Sequence, residues 1–271
     1  MKSASTLFLA LSMSACRAVF GADAVPVACS LPPIASLVDE IAGAPGCCRA
    51  VVPPGADPHS FEPAPKDLAA LSSVRLYFSG GMDFERVLAE RLAARNLGAR
   101  FVQLGGGEDP HGWLSPQVLA QWADCVAAAL AECGVEGAAE RGKNAKKRFA
   151  ALLEEGRKAL EESGVTAFAT VHPAFGPFAD AFGLRQIALE SEGKEPGPRS
   201  VSRVRAQMEE SGAVVMFVRN AGERRKAEAF CRGLGARLVE VRPEAPDFEG
   251  TIRELLLALA GGRSATGGAG E

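Results

Sequence analysis

The chain has 271 residues and a formal net charge of −3, with 23% charged and 47% hydrophobic residues. This length suits one large domain or two smaller lobes. The slightly acidic balance lacks the basic surface that nucleic-acid binding requires, so we expect no nucleic-acid partner.

The first residues have the pattern of a secretory signal peptide, predicted over residues 1–24. Lys2 supplies a positive charge, and small residues follow a short apolar segment from Leu7 to Met13. That segment is too short to span a bilayer. A lipid anchor at Cys16 is the second interpretation. The protein is therefore expected in the periplasm or at the outer face of the cytoplasmic membrane.

Short apolar strands then alternate with helices, a pattern typical of a parallel α/β layer. The N-terminal lobe is predicted over residues 25–134. Its predicted strands are 25–29, 49–52, 74–78 and 100–104. Its predicted helices are 34–41, 66–71, 84–94 and 116–131.

A long charged segment without strand pattern follows, and residues 135–163 are predicted to form a connecting backbone helix. The basic run 143–148 is expected on its solvated face, because glutamates follow it.

The strand–helix alternation returns in a C-terminal lobe predicted over residues 164–260. Its predicted strands are 165–171, 186–189, 214–218 and 237–241. Its predicted helices are 178–182, 201–211, 223–234 and 248–260. Residues 261–271 are rich in Gly, Ser and Thr and are predicted to be a disordered tail. The fold class is therefore α/β, with two similar parallel-sheet lobes joined by one long helix. In such sheets ligands bind beyond the carboxyl ends of the strands, which predicts a site in the cleft between the lobes.

Seven cysteines in an exported protein raise the question of disulfides. On one continuous helix Cys125 and Cys133 would be about 12 Å apart, too far to bridge. Cys29 and Cys125 lie in apolar runs and are predicted to be small core residues. Buried thiols are expected for most of the cysteines, and one bridge involving Cys47 or Cys48 stays open.

The chain contains three histidines, and each lies next to a proline. His59 and His111 end two Asp-Pro-His tripeptides, and His172 precedes Pro173. Proline holds such a histidine in a rigid turn, and the aspartate can cap backbone N–H groups or fix the imidazole tautomer. Any one of these histidines alone reads as an ordinary loop residue. Since all three follow predicted strands and imidazole is a common zinc ligand, together they favour a metal site.

Three segments around the histidines stand in a fixed order: Asp57–Pro63 with Asp67–Leu71, Asp109–Pro116, and His172–Phe178 with Phe182–Leu184. In this order they resemble signatures of the zinc- and manganese-binding periplasmic solute-binding proteins of ABC transporters, the helical-backbone metal receptors. Glu195-Pro196 stands where the family has a Glu-Pro pair. The resemblance extends from about Val25 to about Leu257.

The resemblance implies a binding protein, not an enzyme, that captures a metal and delivers it to a membrane permease of an ABC transporter. It carries the metal-ligand positions over to His59, His111 and His172. The third position is usually glutamate in manganese-type members, so imidazole there favours Zn²⁺, with Mn²⁺ as the alternative. We expect the protein to act as a monomer.

The family often has an aspartate as fourth ligand, and Arg242 stands at that place. Arginine cannot bind a cation, which leaves Glu240, Glu244, Asp247 or water as candidates for the fourth position.

Two other functions stay open on the residues alone. Three histidines with a bound water are also a catalytic zinc arrangement, and a zinc-dependent hydrolase would have Glu62 or Glu244 as its base. No His-Glu-x-x-His motif supports this alternative. A role in adhesion or metal storage is the third interpretation.

Overall fold

A computed structural model of the chain describes residues 26–94, 99–105, 109–190 and 197–261. Within these ranges it contains two four-stranded parallel sheets with flanking helices, which confirms the predicted α/β fold class. The predicted signal peptide, Glu195-Pro196 and all but the first residue of the predicted tail lie outside the described residues.

The first sheet has the strand order β2-β1-β3-β4, and every neighbouring pair is parallel. Its strands are β1 at Val27–Cys29, β2 at Cys48–Ala50, β3 at Leu76–Ser79 and β4 at Arg100–Gln103. The helices of this part of the chain are α1 at Pro32–Ala42, α2 at Pro65–Ala70, α3 at Asp83–Ala94 and α4 at Pro116–Glu132. A single 3₁₀ turn at Gly112–Leu114 precedes α4.

Helix α5 is continuous from Ala138 to Ser163, so it begins three residues later than the predicted helix over residues 135–163 and ends at the same residue. The chain divides into two compact units, and the main division falls within this helix, after Phe149. Residues 114–117 belong to the second unit and residues 244–247 to the first. The predicted domain boundaries themselves stay a prediction.

The second sheet has the strand order β6-β5-β7-β8, again with every pair parallel. Its strands are β5 at Ala167–Thr170, β6 at Arg185–Ala188, β7 at Val215–Val218 and β8 at Arg237–Glu240. Its helices after α5 are α6 at Gly176–Phe182, α7 at Pro198–Ser211, α8 at Ala221–Cys231 and α9 at Phe248–Ala260.

The central strands are covered on both faces, as is usual for parallel sheets. In the second unit Ala167 and Ala169 of β5 face one core with Val204 of α7 and Ala227 of α8. Phe168 between them packs edge-on against other phenylalanines. The fully buried aromatic partners of Phe168 are Phe175, Phe178 and Phe217.

Helix ends are where the sequence prediction was least accurate. Helices α1 and α7 begin at Pro32 and Pro198, two and three residues before the first apolar residue that we took as their start. Proline is well suited to the first helical turn, where its missing N–H has no helical partner. At the other end, α8 stops at Cys231 and not at the predicted residue 234, because the chain turns at Arg232 and Gly233, where Gly233 has a φ of 86°.

All six cysteines in the described part of the chain are free thiols. Cys29 is buried, as predicted, but Cys125 is exposed on α4, so its prediction as a core residue was wrong. Periodicity within an alanine-rich helix does not separate the buried face from the solvent face, since alanine suits both. Within the described residues no helix is long and apolar enough to cross a membrane.

Arg141 of α5 closes the carboxyl end of α1. Its Nε donates to the Ile41 carbonyl at 2.7 Å and its Nη2 to the Ala42 carbonyl at 2.9 Å. The last carbonyls of a helix lack partners within the helix, so these contacts satisfy groups that would otherwise be exposed or unpaired. Seven residues further along α5, the Arg148 guanidinium contacts both Glu40 carboxylate oxygens at 2.9 and 2.8 Å.

A buried carboxyl, Glu85, supports the loop after β3. It accepts hydrogen bonds from the backbone N–H groups of Gly80 at 2.7 Å and Gly81 at 2.8 Å, and from the Ser30 hydroxyl. Burial, which outweighs these hydrogen bonds, raises the pKa of Glu85 above its usual value. The side chain therefore ties the carboxyl ends of β1 and β3 together.

Replacing Arg141 with alanine should lower the free energy of unfolding by about 2 kcal/mol, since charged hydrogen bonds to otherwise unpaired carbonyls are lost. The exposed Lys147 on the same helix is the matched control, and Lys147→Ala should change stability by no more than ~0.5 kcal/mol. Urea unfolding followed by circular dichroism measures both. Equal effects of the two substitutions would contradict the role given to Arg141.

The contribution of Glu85 to the free energy of unfolding should depend on pH. Its raised folded-state pKa means that its contribution is complete below the unfolded-state pKa and is lost as pH rises through the folded-state pKa. The stability advantage of the wild-type protein over Glu85→Gln should therefore shrink between mildly acidic and neutral pH. Parallel urea titrations at several pH values test this, and an advantage that grows with pH would show that the sign is wrong.

Candidate metal site

Two of the three histidines emerge from the carboxyl edge of the first sheet. His59 lies on the loop after β2, and His111 lies on the loop after β4. These strands form the two outer edges of the sheet, about 14 Å apart at normal strand spacing. The loops must therefore run along the carboxyl edge to bring the two side chains together.

The two imidazoles do meet. The His59 Nε2 and His111 Nε2 atoms are 3.1 Å apart, and the ring centroids are separated by 5.1 Å at an interplanar angle of 46°. Two nitrogens bound to one tetrahedral zinc ion at normal Zn–N distances are ~3.3 Å apart. The pair is therefore spaced as two ligands of one ion would be.

Each Asp-Pro-His tripeptide forms the same local turn. The Asp57 Oδ1 accepts from the His59 backbone N–H at 3.0 Å, and the Asp109 Oδ1 accepts from the His111 backbone N–H at the same distance. This Asx-type turn, with proline fixing the middle residue, accounts for the preference for aspartate two positions before the histidine. The capping role predicted for the aspartates is present in both tripeptides.

Asp109 also contacts the imidazole ring of His111. Its Oδ1 lies 2.6 Å from His111 Nδ1, which assigns the ring hydrogen to Nδ1 and leaves the lone pair on Nε2. Burial of Asp109 opposes its ionisation, but the hydrogen bonds from the His111 ring and backbone prevail and lower the pKa of this carboxyl. A carboxylate held in its charged form is thus in place to orient His111.

The two histidines differ in exposure. His59 is exposed, whereas His111 is only 2% exposed and packs against the Trp113 ring with centroids 5.2 Å apart. Residue 112, between His111 and Trp113, is a glycine because there is no room for a side chain: a Cβ there would lie 2.8 Å from the buried Trp122 ring. Phe61 is half-buried and packs edge-on against Phe84.

His172 belongs to the second unit and lies two residues beyond β5. Its Nδ1 is 3.6 Å from Oε2 of Glu190, which lies two residues beyond the neighbouring strand β6. The other Glu190 oxygen is 3.1 Å from the Lys226 ammonium group. Both His172 and Glu190 are largely buried, at 18% and 15% side-chain exposure.

Sequence reasoning missed Glu190. The strand pattern before it was recognised, but no motif distinguishes this glutamate from its neighbours. The pairing of β5 with β6 is the feature that identifies Glu190 as a neighbour of His172, since the Glu190 backbone N–H donates to the Val171 carbonyl at 2.9 Å.

Among the candidates for a fourth ligand, Glu240 is poorly suited. It lies at the end of β8, is exposed, and contacts the Arg224 guanidinium at 3.3 Å. Arg242 is exposed two residues further along the chain. Roles for Glu244 and Asp247 stay predictions.

Comparisons with known proteins agree with this architecture. A family model described as "ZnuA: Zinc-uptake complex component A periplasmic" matches residues 27–260. The chain is 22% identical over 245 residues to the high-affinity zinc uptake system protein ZnuA of Bacillus subtilis, which covers 79% of this chain and 77% of the relative. A putative metal-binding protein of Chlamydia trachomatis is 25% identical, covering 85% of this chain and 89% of the relative. The manganese-binding lipoprotein MntA of Halalkalibacterium halodurans is 23% identical, with coverage of 83% and 81%.

Solved structures show the same fold. A crystal structure of ZnuA superposes with a TM-score of 0.81 at 26% identity, covering 89% of this chain and 99% of that one. A zinc-bound deletion mutant of ZnuA gives a TM-score of 0.80 at 27% identity, with coverage of 89% and 98%. The family match extends over most of the chain, and this chain belongs to the ZnuA family of periplasmic zinc-uptake components.

Proposed function

We propose that this protein captures a divalent transition metal outside the cytoplasm and delivers it to the membrane permease of an ABC importer. Zinc is the preferred metal, and manganese is the alternative. His59, His111 and His172 are the proposed ligands. The observation that carries the proposal is the His59–His111 pair, whose Nε2 atoms lie 3.1 Å apart with Asp109 fixing the His111 tautomer.

The donor atoms account for the choice of metal. Imidazole nitrogen suits zinc, whereas manganese prefers carboxylate, carbonyl and water oxygens. For a given set of nitrogen ligands, zinc also binds more tightly than manganese in the usual order of divalent metals. Relatives named for either metal support the coarser assignment, a divalent transition metal.

Membership of the ZnuA family supports transport over catalysis. The family is described as a periplasmic component of a zinc-uptake complex, and a soluble carrier of that kind needs a membrane permease to pass its cargo on. Glu62, a nominated base of the hydrolase alternative, is exposed on the loop after His59. The export signal over residues 1–24 and a monomeric state are parts of this proposal.

Single substitutions of His59, His111 or His172 by alanine should each weaken zinc binding by at least ~100-fold. Loss of a group that only orients a metal ligand typically lowers metal affinity by about 10–100-fold, and loss of the ligand itself should lower it at least as much. Zinc titration of the metal-free mature protein against a chelator of known affinity measures this. Glu240→Ala is the matched control and should leave the affinity within about twofold, because Glu240 pairs with Arg224. Retention of tight binding in any histidine variant would remove that residue from the site.

The wild-type protein should prefer zinc to manganese by several orders of magnitude under identical conditions, as expected for nitrogen ligands. Competition of the two metals, read by metal analysis of the re-isolated protein, tests the preference. Equal retention of manganese would point to oxygen ligands in addition to the three imidazoles. Rapid zinc-dependent hydrolysis of simple esters would favour the enzyme alternative.

A further inference from the structure

We propose that Glu190 is a positioning residue for His172. It holds the His172 ring in the tautomer that has the hydrogen on Nδ1 and the lone pair on Nε2, and Lys226 holds Glu190 in place. The inference rests on the proposed function, because it takes His172 to be a metal ligand. The arrangement lies entirely within the second unit.

Backbone pairing puts Glu190 next to His172. Strands β5 and β6 are in register from Ala167 opposite Arg185 to Thr170 opposite Ala188, so His172 comes level with Glu190. The ladder extends beyond the strands, because the Leu189 and Glu190 N–H groups donate to the Thr170 and Val171 carbonyls, both at 2.9 Å. The position of the carboxylate thus depends on the sheet and not on a mobile side chain alone.

The side-chain geometry distinguishes the two ring nitrogens. The Glu190 Oε2 atom is 3.6 Å from His172 Nδ1, slightly beyond hydrogen-bond length and short enough to close by a small rotation of either side chain. A carboxylate on this side favours hydrogen on Nδ1 and leaves Nε2 as the ligand atom, since the partner of one ring nitrogen sets the state of the other. Asp109 approaches the same nitrogen of His111, at the hydrogen-bond distance of 2.6 Å.

Lys226 determines which way Glu190 points. Its ammonium group lies 3.1 Å from Oε1, the oxygen that does not face His172. An ammonium group there attracts this oxygen and opposes rotation of the carboxylate away from the imidazole. Lys226 is 43% exposed in its side chain, so its contribution is expected to be smaller than that of Glu190.

Nuclear magnetic resonance of the metal-free protein tests the inference directly. The chain has only three histidines, so ¹⁵N labelling of histidine gives three pairs of imidazole nitrogen signals, which single histidine substitutions assign. In alkaline buffer, where imidazole is neutral, His172 should carry its hydrogen on Nδ1 in the wild-type protein. Glu190→Ala should move it toward the Nε2–H tautomer and leave His111 unchanged.

Zinc affinity gives the second measurement. Glu190→Ala should weaken binding by 10–100-fold, the range typical for loss of a group that orients a metal ligand. Lys226→Met should weaken it by about threefold. Glu190→Gln, which keeps the shape and one acceptor oxygen, should fall between wild type and Glu190→Ala. Glu228→Ala, an exposed glutamate on α8, is the matched control and should match wild type in both measurements.

The outcomes separate this inference from the proposed function. If the wild-type protein binds no zinc, the proposed function fails, and the tautomer of metal-free His172 still decides the role of Glu190. If zinc binds tightly but His172 carries its hydrogen on Nε2, or if Glu190→Ala changes neither tautomer nor affinity, the positioning role is overturned alone. Should Glu190→Ala fail to fold, the isosteric Glu190→Gln decides by the same two readouts.

Discussion

Parallel strand pairing is the constraint on which the rest of this structure depends. Because all four strands of each sheet run the same way, every strand's carboxyl end lies at one edge and every connection back is a crossover, which here contains a helix. The loops that leave this edge are the places where polar side chains can gather without disrupting the hydrogen bonds between the strands. All three histidines of the chain lie on such loops, after β2, β4 and β5.

The same chemical device, a carboxylate beside an imidazole Nδ1, arises here by two routes. Asp109 reaches His111 from two residues away, within one turn that proline makes rigid. Glu190 lies beside His172 because adjacent strands are in register, although the two residues are far apart in sequence. The first route needs only a tripeptide, whereas the second exists only after the sheet has formed. Metal affinity that depends on the second is therefore coupled to the integrity of the β5–β6 pair.

This difference explains what the sequence could reveal. The strands and helices follow from hydrophobic periodicity, and Asp57 and Asp109 follow from the Asp-Pro-His tripeptide, because both signals are local. Glu190 depends on strand register, which no local pattern specifies. The exposure of Cys125 depends on which face of α4 packs inward, and an alanine-rich helix hides that choice. The helix starts at Pro32 and Pro198 are also local features, because proline is preferred in the first turn of a helix.

The charge balance of the proposed site follows from its ligands. Three neutral imidazoles leave the charge of a divalent ion uncompensated, so nearby carboxylates must supply the balance without contacting the metal. Asp109 and Glu190 are placed to do this through the rings that they orient. Arg242, two residues beyond β8, is exposed and adds a positive charge to this part of the second unit. A carrier must release its cargo as well as capture it. In the proposed site, neutral imidazoles attract the ion less strongly than carboxylate ligands would, which favours release, whereas the oriented ring nitrogens preserve the preference for zinc.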